Sequence, residues 1–189
     1  MKNSKPWFDF LSVACPEGNG VIRVERSESL ERTLFLDLKS KRNQNEIHVR
    51  FAVGLADSEG FSRSIHSGEI SPAVDSLDRR LREARSKHPE LPLLVAASPE
   101  TLWPRSHAWM LGEYLAERDL PLWVDIRHLP GERALEWMGR LQETGLACPR
   151  MAIEISPGQG LSAASPLVGS GACAIGFRRE TGEWEIGQM

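Results

Sequence analysis

The residues LPLWVDIRHL at positions 120–129 decide the fold, together with PLLVAAS at 92–98 and RMAIEIS at 150–156. Each run is short and largely apolar, which is typical of a strand that is covered on both faces of a parallel sheet. The segments between the runs carry apolar residues at helical spacing. Short connections between alternating strands and helices require parallel pairing with right-handed crossovers. The sequence therefore predicts a β-α-β-α-β parallel core, which lies within residues 72–156.

Three helices are predicted in this region. The first covers 72–87, since Ser71 suits the N-cap and Pro72 suits the first helical position. The second covers 105–118, and the third begins at Pro130 and Gly131. Four tryptophans fall in the same region, and we expect them to fill its core because indole brings a large apolar area. They are Trp103, Trp109, Trp123 and Trp137.

Strands are predicted on either side of this core. Residues 21–56 alternate apolar and polar side chains in three runs, which indicates an antiparallel meander. Two strand-like runs around the turn ETG predict a C-terminal hairpin at 172–187. The prediction is one α/β domain over 1–189, built on a single mixed sheet or partial barrel. The 189 residues fall short of the roughly 250 that an eight-stranded β/α barrel usually takes.

The composition limits the classes of function. A net charge of −3 and a pI near 6.0 argue against a dedicated nucleic-acid binder. No apolar run approaches the roughly 18 residues that a membrane span needs, and Asp9 interrupts the short apolar run near the start of the chain. Cys15, Cys148 and Cys173 lie far apart, without the spacing of zinc ligands. They predict a chain without a disulfide framework and a cytoplasmic location.

Candidate site residues follow from the predicted parallel strands, because ligands bind beyond the carboxyl ends of such strands. The first strand ends at Ser98 and is followed by Glu100. The second ends at Asp125, with Arg127 and His128 after it, and the third carries Glu154 near its end. These six residues are the predicted ligand-binding set.

Two interpretations of the acidic pair remain open. Asp125 and Glu154 could hold a divalent cation through their oxygen atoms, or act as an acid and a base. Alternatively, they pair with Arg127 or Arg150, or with a helix N-terminus, and serve the structure. The basic face of helix 72–87 is similarly either a solvated surface or a site for an anion or a nucleic acid. Its members are Arg79, Arg80, Arg82, Arg85 and Lys87.

Residues 102–156 resemble the middle of an EAL domain, the fold of cyclic-di-GMP phosphodiesterases and receptors. VDIR at 124–127 stands where that family has VNLS, and IEIS at 153–156 stands where it has ExTE. The resemblance implies that Asp125 and Glu154 correspond to metal-binding positions of the family. The EAL signature and the DDFGTG motif are absent from this sequence. The resemblance therefore implies a regulatory role in bacterial signalling without catalysis.

We expect a non-catalytic cytosolic domain that acts through a protein partner or a small anionic ligand, with no cofactor. The sequence contains an ordered α/β core but no complete catalytic constellation, and it assigns no catalytic residue. The alternative is a metal-dependent phosphodiesterase or other hydrolase that uses Asp125 and Glu154. Neither a membrane nor a nucleic acid is an expected partner.

Overall fold

Among the described residues, eight strands lie side by side in the order in which they occur in the chain. The computed structural model describes residues 21–56, 71–143, 151–155, 173–178 and 184–188. The strands are β1 Val21–Glu28, β2 Leu34–Arg42, β3 Asn45–Ala56, β4 Leu93–Ala97, β5 Leu122–Asp125, β6 Met151–Ile155, β7 Cys173–Arg178 and β8 Trp184–Gln188. The helices of the described residues are α1 Ser71–Lys87, α2 Arg105–Arg118 and α3 Gly131–Glu143.

The sheet is mixed, as the sequence predicts. Strands β1, β2 and β3 form an antiparallel meander, and β3 to β7 pair in parallel. Strand β8 returns antiparallel to β7 and completes the predicted hairpin. The first and last strands then meet through the pairs Val21–Glu185 and Ile22–Trp184, so that the curled sheet closes into a barrel.

Tight turns explain how so short a chain builds eight strands. A helical crossover takes a dozen residues or more, whereas a hairpin needs as few as two. Asn43 and Gln44 alone connect β2 to β3, and both have positive φ angles, 48° and 69°. Two successive positive φ angles are the mark of a type I′ turn, whose twist matches that of the paired strands.

Two apolar clusters lie on opposite faces of the sheet. The larger one packs the outward side chains of β3 to β6 against the three helices, and Trp137, Leu111 and Leu115 are among its most deeply buried members. It includes the apolar residues that repeat at helical spacing on α2 and α3, which are Ala108, Leu111, Leu115, Ala134, Trp137, Met138 and Leu141. The smaller cluster fills the barrel interior with Leu38, Phe51, Leu94, Trp123 and their neighbours.

The tryptophan prediction is half wrong. Trp123 and Trp137 are buried, but Trp103 remains 36% exposed and Trp109 56% exposed. On α2, Ala108 and Leu111 face the sheet, which turns Trp109 to the outer face of the helix. The burial of a tryptophan on this helix therefore depends on which face of the helix it occupies, and not on its indole area alone.

Several predictions fall outside the described residues. They concern residues 57–70 of a loop predicted at 57–71, a second loop predicted at 156–171, Gly145 as the predicted C-cap of the third helix, and Cys15 and Cys148. Among the residues that are described, no helix is long and apolar enough to cross a membrane.

Candidate functional site

Four charged residues and one tryptophan meet at the barrel end where the parallel strands finish. Arg26 comes from β1, Trp123 and Asp125 from β5, Arg127 from the turn after β5, and Glu154 from β6. We call this group the strand-end cluster. Two carboxylates and two guanidinium groups give it a balanced charge.

Glu154 lies at the centre of the strand-end cluster and its side chain is fully buried. Its Oε2 accepts a hydrogen bond from Nε1 of Trp123 at 2.7 Å and pairs with the guanidinium of Arg26. Its Oε1 lies 2.9 Å from Nε of Arg127. A buried carboxylate needs such partners, because an ion that loses its water without replacement costs several kcal/mol.

Asp125 is held by Arg127 through three hydrogen bonds. Nε of Arg127 donates to Oδ1 at 2.9 Å, and a terminal nitrogen donates to Oδ2 at 2.6 Å. The backbone N–H of Arg127 also donates to Oδ1, at 3.1 Å. Arg26 approaches Oδ2 from across the barrel, at 3.8 Å. The forked geometry fixes both side chains, which is the strong form of an arginine–carboxylate pair.

Strand register explains why these residues converge. Asp125 and Glu154 are direct neighbours in the pairing of β5 with β6. Trp123 lies two residues before Asp125, so alternation directs both side chains to the same face. That face is the barrel interior, where Trp123 belongs to the inner apolar cluster.

The charges at this site are strongly coupled. Burial raises the pKa of Asp125. The hydrogen bonds from Arg127 and the charges of Arg127 and Arg26 lower it by more, so the pKa of Asp125 is below its ordinary value. The hydrogen bond to Asp125 correspondingly raises the pKa of Arg127, despite its partial burial. Asp125 therefore stays ionised and paired over the physiological pH range.

The arrangement is poorly suited to the predicted divalent cation. A hard cation such as Ca²⁺ takes six to eight oxygen ligands. Here two carboxylates are adjacent, and both already contact guanidinium groups. In the described part of the chain, no group of three or more His, Cys, Asp or Glu side chains could hold a metal ion. A metal would first have to displace Arg127 and Arg26 from these oxygens.

Three of the predicted site residues make other contacts than those of the strand-end cluster: Ser98, Glu100 and His128. Nε2 of His128 lies 3.0 Å from Oε1 of Glu100, and both side chains are more than half exposed. Burial raises the pKa of Glu100, but the hydrogen bond from His128 and other local contacts outweigh it and lower the pKa. Ser98 contacts the hydroxyl of Thr101 at 3.0 Å and also accepts the Thr101 backbone N–H, which fixes the turn after β4.

A cavity of about 260 Å³ opens beside the Glu100–His128 pair. We call it the strand-end pocket. Its walls are Pro99, Glu100, Trp103, Leu129, Arg133 and Trp137. Trp137 is held in place by its Nε1, which donates to the carbonyl oxygen of Pro99 at 3.0 Å. Arg140 covers one face of the Trp103 ring at 3.9 Å.

Sequence reasoning missed Arg26, Trp123 and Arg133. Arg26 belongs to the same alternating series as Val24, a series that faces the interior of the barrel. A charged residue in the inward series of a strand requires a buried partner, and that was the available signal. Which partner it meets depends on closure of the barrel, which local patterning does not reveal.

Comparisons of this chain with protein-family models, with curated proteins and with solved structures find no match in any of the three. The resemblance of residues 102–156 to an EAL domain therefore stays a prediction.

Proposed function

We propose that this chain is a non-catalytic, cytosolic binding domain that takes a small anionic ligand in the strand-end pocket. The observation that carries the proposal is the pairing of Asp125 and Glu154 with Arg127 and Arg26. General acid–base or metal chemistry needs a carboxylate that is available to a proton or an ion. Both carboxylates are instead engaged by guanidinium groups, which supports binding rather than turnover.

The lining of the strand-end pocket supports an anion with a flat apolar body. Trp103 and Leu129 offer apolar surface, and Arg133 supplies a positive charge. The guanidinium of Arg133 makes no ion pair or hydrogen bond with any other residue that the structure describes. Glu100, the acidic wall, already faces His128. A cavity of about 260 Å³ suits a ligand at the small end of the usual range.

Benzoate is a suitable probe, because it combines a planar ring with a carboxylate. Titration into ¹⁵N-labelled protein should shift the indole N–H resonance of Trp103, which is assigned from its absence in Trp103→Phe. The variant Arg133→Gln should weaken the affinity about tenfold, since one charge-assisted hydrogen bond is lost. Arg23→Gln, at an exposed arginine on β1, is the matched control. Equal affinity in Arg133→Gln and wild type would contradict the proposed pocket.

A protein partner is the second candidate, and Trp109 favours it. This side chain is 56% exposed on α2, and tryptophan is enriched among the residues that dominate binding energy at protein interfaces. A photo-crosslinking amino acid at position 109 should trap one defined species in cells. The control position is Glu136, an exposed residue on α3. The same crosslinks from both positions would remove Trp109 from consideration.

A further inference from the structure

A second cavity, of about 280 Å³, lies between α1 and α2. Leu93, the first residue of β4, and Leu120, just before β5, line its floor. These residues mark the ends at which the strands begin, so the cavity lies away from the strand-end pocket. We call it the cationic cleft, because three arginines line it: Arg82 and Arg85 from α1, and Arg118 from α2.

Asp78, the acidic residue that lines the cleft, already contacts Tyr114 and Arg118. Asp78 accepts a short hydrogen bond from the hydroxyl of Tyr114 and lies 3.8 Å from Nε of Arg118. Burial and the hydrogen bond to Asp78 raise the pKa of the Tyr114 hydroxyl, whereas the nearby charges of Arg118 and Arg82 oppose the rise. Tyr114 therefore remains a neutral hydrogen-bond donor to Asp78.

The positive charge of the three arginines exceeds the negative charge of their acidic neighbours, so the cationic cleft has a net positive charge. Arg118 is shared among Asp78, the side chain of Glu117 and the ring of Tyr114, whose centroid is 3.8 Å away. Among the described residues, the Arg82 side chain donates to one acceptor, the backbone oxygen of Asp78, at 3.3 Å from Nε. The guanidinium of Arg85 makes no hydrogen bond or ion pair with another residue among those described. Three guanidinium groups that face one cavity repel each other, and an anion between them removes that repulsion.

We propose that the cationic cleft binds a small organic phosphate, with its phosphate between Arg82, Arg85 and Arg118 and its apolar body on the leucine floor. Arginine matches phosphate oxygens with paired N–H donors, which favours this group. Leu81, Leu93 and Leu120 provide the apolar floor. A bare phosphate ion would leave that floor without a contact, so the ligand needs a carbon body. The cationic cleft and the strand-end pocket share no lining residue.

Phenyl phosphate is the probe, and calorimetry of the full chain is the measurement. The double variant Arg82→Gln/Arg85→Gln should weaken binding by at least about tenfold, since two charge-assisted contacts are lost. Arg79→Gln, at an exposed position of α1 outside the cleft, should leave the affinity within about twofold. Inorganic phosphate should bind about tenfold more weakly than phenyl phosphate, because it cannot cover the leucines.

Two results would overturn the proposal. One is the absence of any heat of binding with millimolar phenyl phosphate while the protein is folded by circular dichroism. The other is an unchanged affinity in the double variant. Arg133→Gln separates this site from the strand-end pocket, since it should weaken benzoate binding and leave phenyl phosphate binding intact. Both arginines of the double variant are exposed, so folding should survive the change.

Discussion

Glu154 accepts a hydrogen bond from Nε1 of Trp123 at 2.7 Å, inside the barrel, between neighbouring strands. This contact joins the apolar interior to the charged strand-end cluster, because Trp123 belongs to both. It fixes one oxygen of a fully buried carboxylate whose other contacts are with arginines. The stability of the barrel should therefore depend on Glu154 more than on a surface acid.

Glu154→Gln tests this dependence. The variant keeps an acceptor for Trp123 but leaves the guanidinium groups of Arg26 and Arg127 without a buried counter-charge. Breaking a buried pair costs about 3–5 kcal/mol, and we expect about 2–3 kcal/mol because both arginines reach solvent. Urea unfolding measures the loss. The control Glu25→Gln removes an exposed pair with Lys39 and should cost no more than about 1 kcal/mol. Equal losses in the two variants would refute the buried role of Glu154.

Acid should destabilise the protein through Asp37 and Asp125. Burial raises the pKa of Asp37, but hydrogen bonds from Arg50 and His48 and their charges outweigh it and lower the pKa. The pKa of Asp125 is also lowered. A depressed pKa in the folded state contributes stability above the unfolded value of about 3.9, and that stability disappears as the pH falls through the folded value.

The urea midpoint should therefore change little through these two groups between pH 7 and 5 and fall below about pH 4. The double variant Asp37→Asn/Asp125→Asn cannot take up these protons and should show a shallower acid slope. An acid slope as steep as that of the wild type would assign the effect to other groups.

Gly54 is required by the close approach of α1 to β3. A Cβ atom at this position would lie 2.6 Å from Cδ2 and 3.0 Å from Cγ of Leu81. Gly54→Ala should cost about 1–3 kcal/mol, since the helix or the leucine must move. Leu81→Ala opens the space at its own cost of about 2–5 kcal/mol. In the double variant, the loss of unfolding free energy should be smaller than the sum by about 1 kcal/mol. Strict additivity would show that the two residues are not in contact.

A glycine in the turn between β2 and β3 should increase the stability of the protein. Gln44 has a φ of 69°, a region that costs an L-residue roughly 1–2 kcal/mol. Gln44→Gly removes this strain but adds entropy to the unfolded chain, so the net gain should be about 0.5 kcal/mol. Asn43→Gly is the matched control and should gain less, because asparagine tolerates positive φ. Thermal unfolding compares the two, and a loss of stability in Gln44→Gly would contradict the type I′ turn.

The spacing of apolar residues along the sequence correctly predicted the buried face of a helix and the alternation of a strand. Ala134, Trp137, Met138 and Leu141 repeat at helical spacing, and all four are buried on α3. The alternation of β3 likewise predicted a strand of the meander. The exposure of Trp109 could not be predicted from indole area, because its position on α2 turns it outward.

The candidate site was predicted only in part. The strand-end rule identified Asp125, Arg127 and Glu154, which the register of β5 and β6 brings together. The same rule also placed His128 and Glu100 in this site, but their side chains pair with each other on the surface, apart from the strand-end cluster. Arg26 could not be assigned, because its contact with Glu154 requires β1 to lie across the closed barrel from β6.

We propose that Asp125 and Glu154 are held in ion pairs by Arg127 and Arg26 and take no part in turnover. Hydrolysis of bis(p-nitrophenyl) phosphate by the purified chain, with Mg²⁺ or Mn²⁺ present, tests it most directly. We predict release of p-nitrophenol at the rate of buffer alone, and the same rate in Asp125→Asn. Metal-dependent release that disappears in Asp125→Asn would contradict the account and would assign the site to a hydrolase.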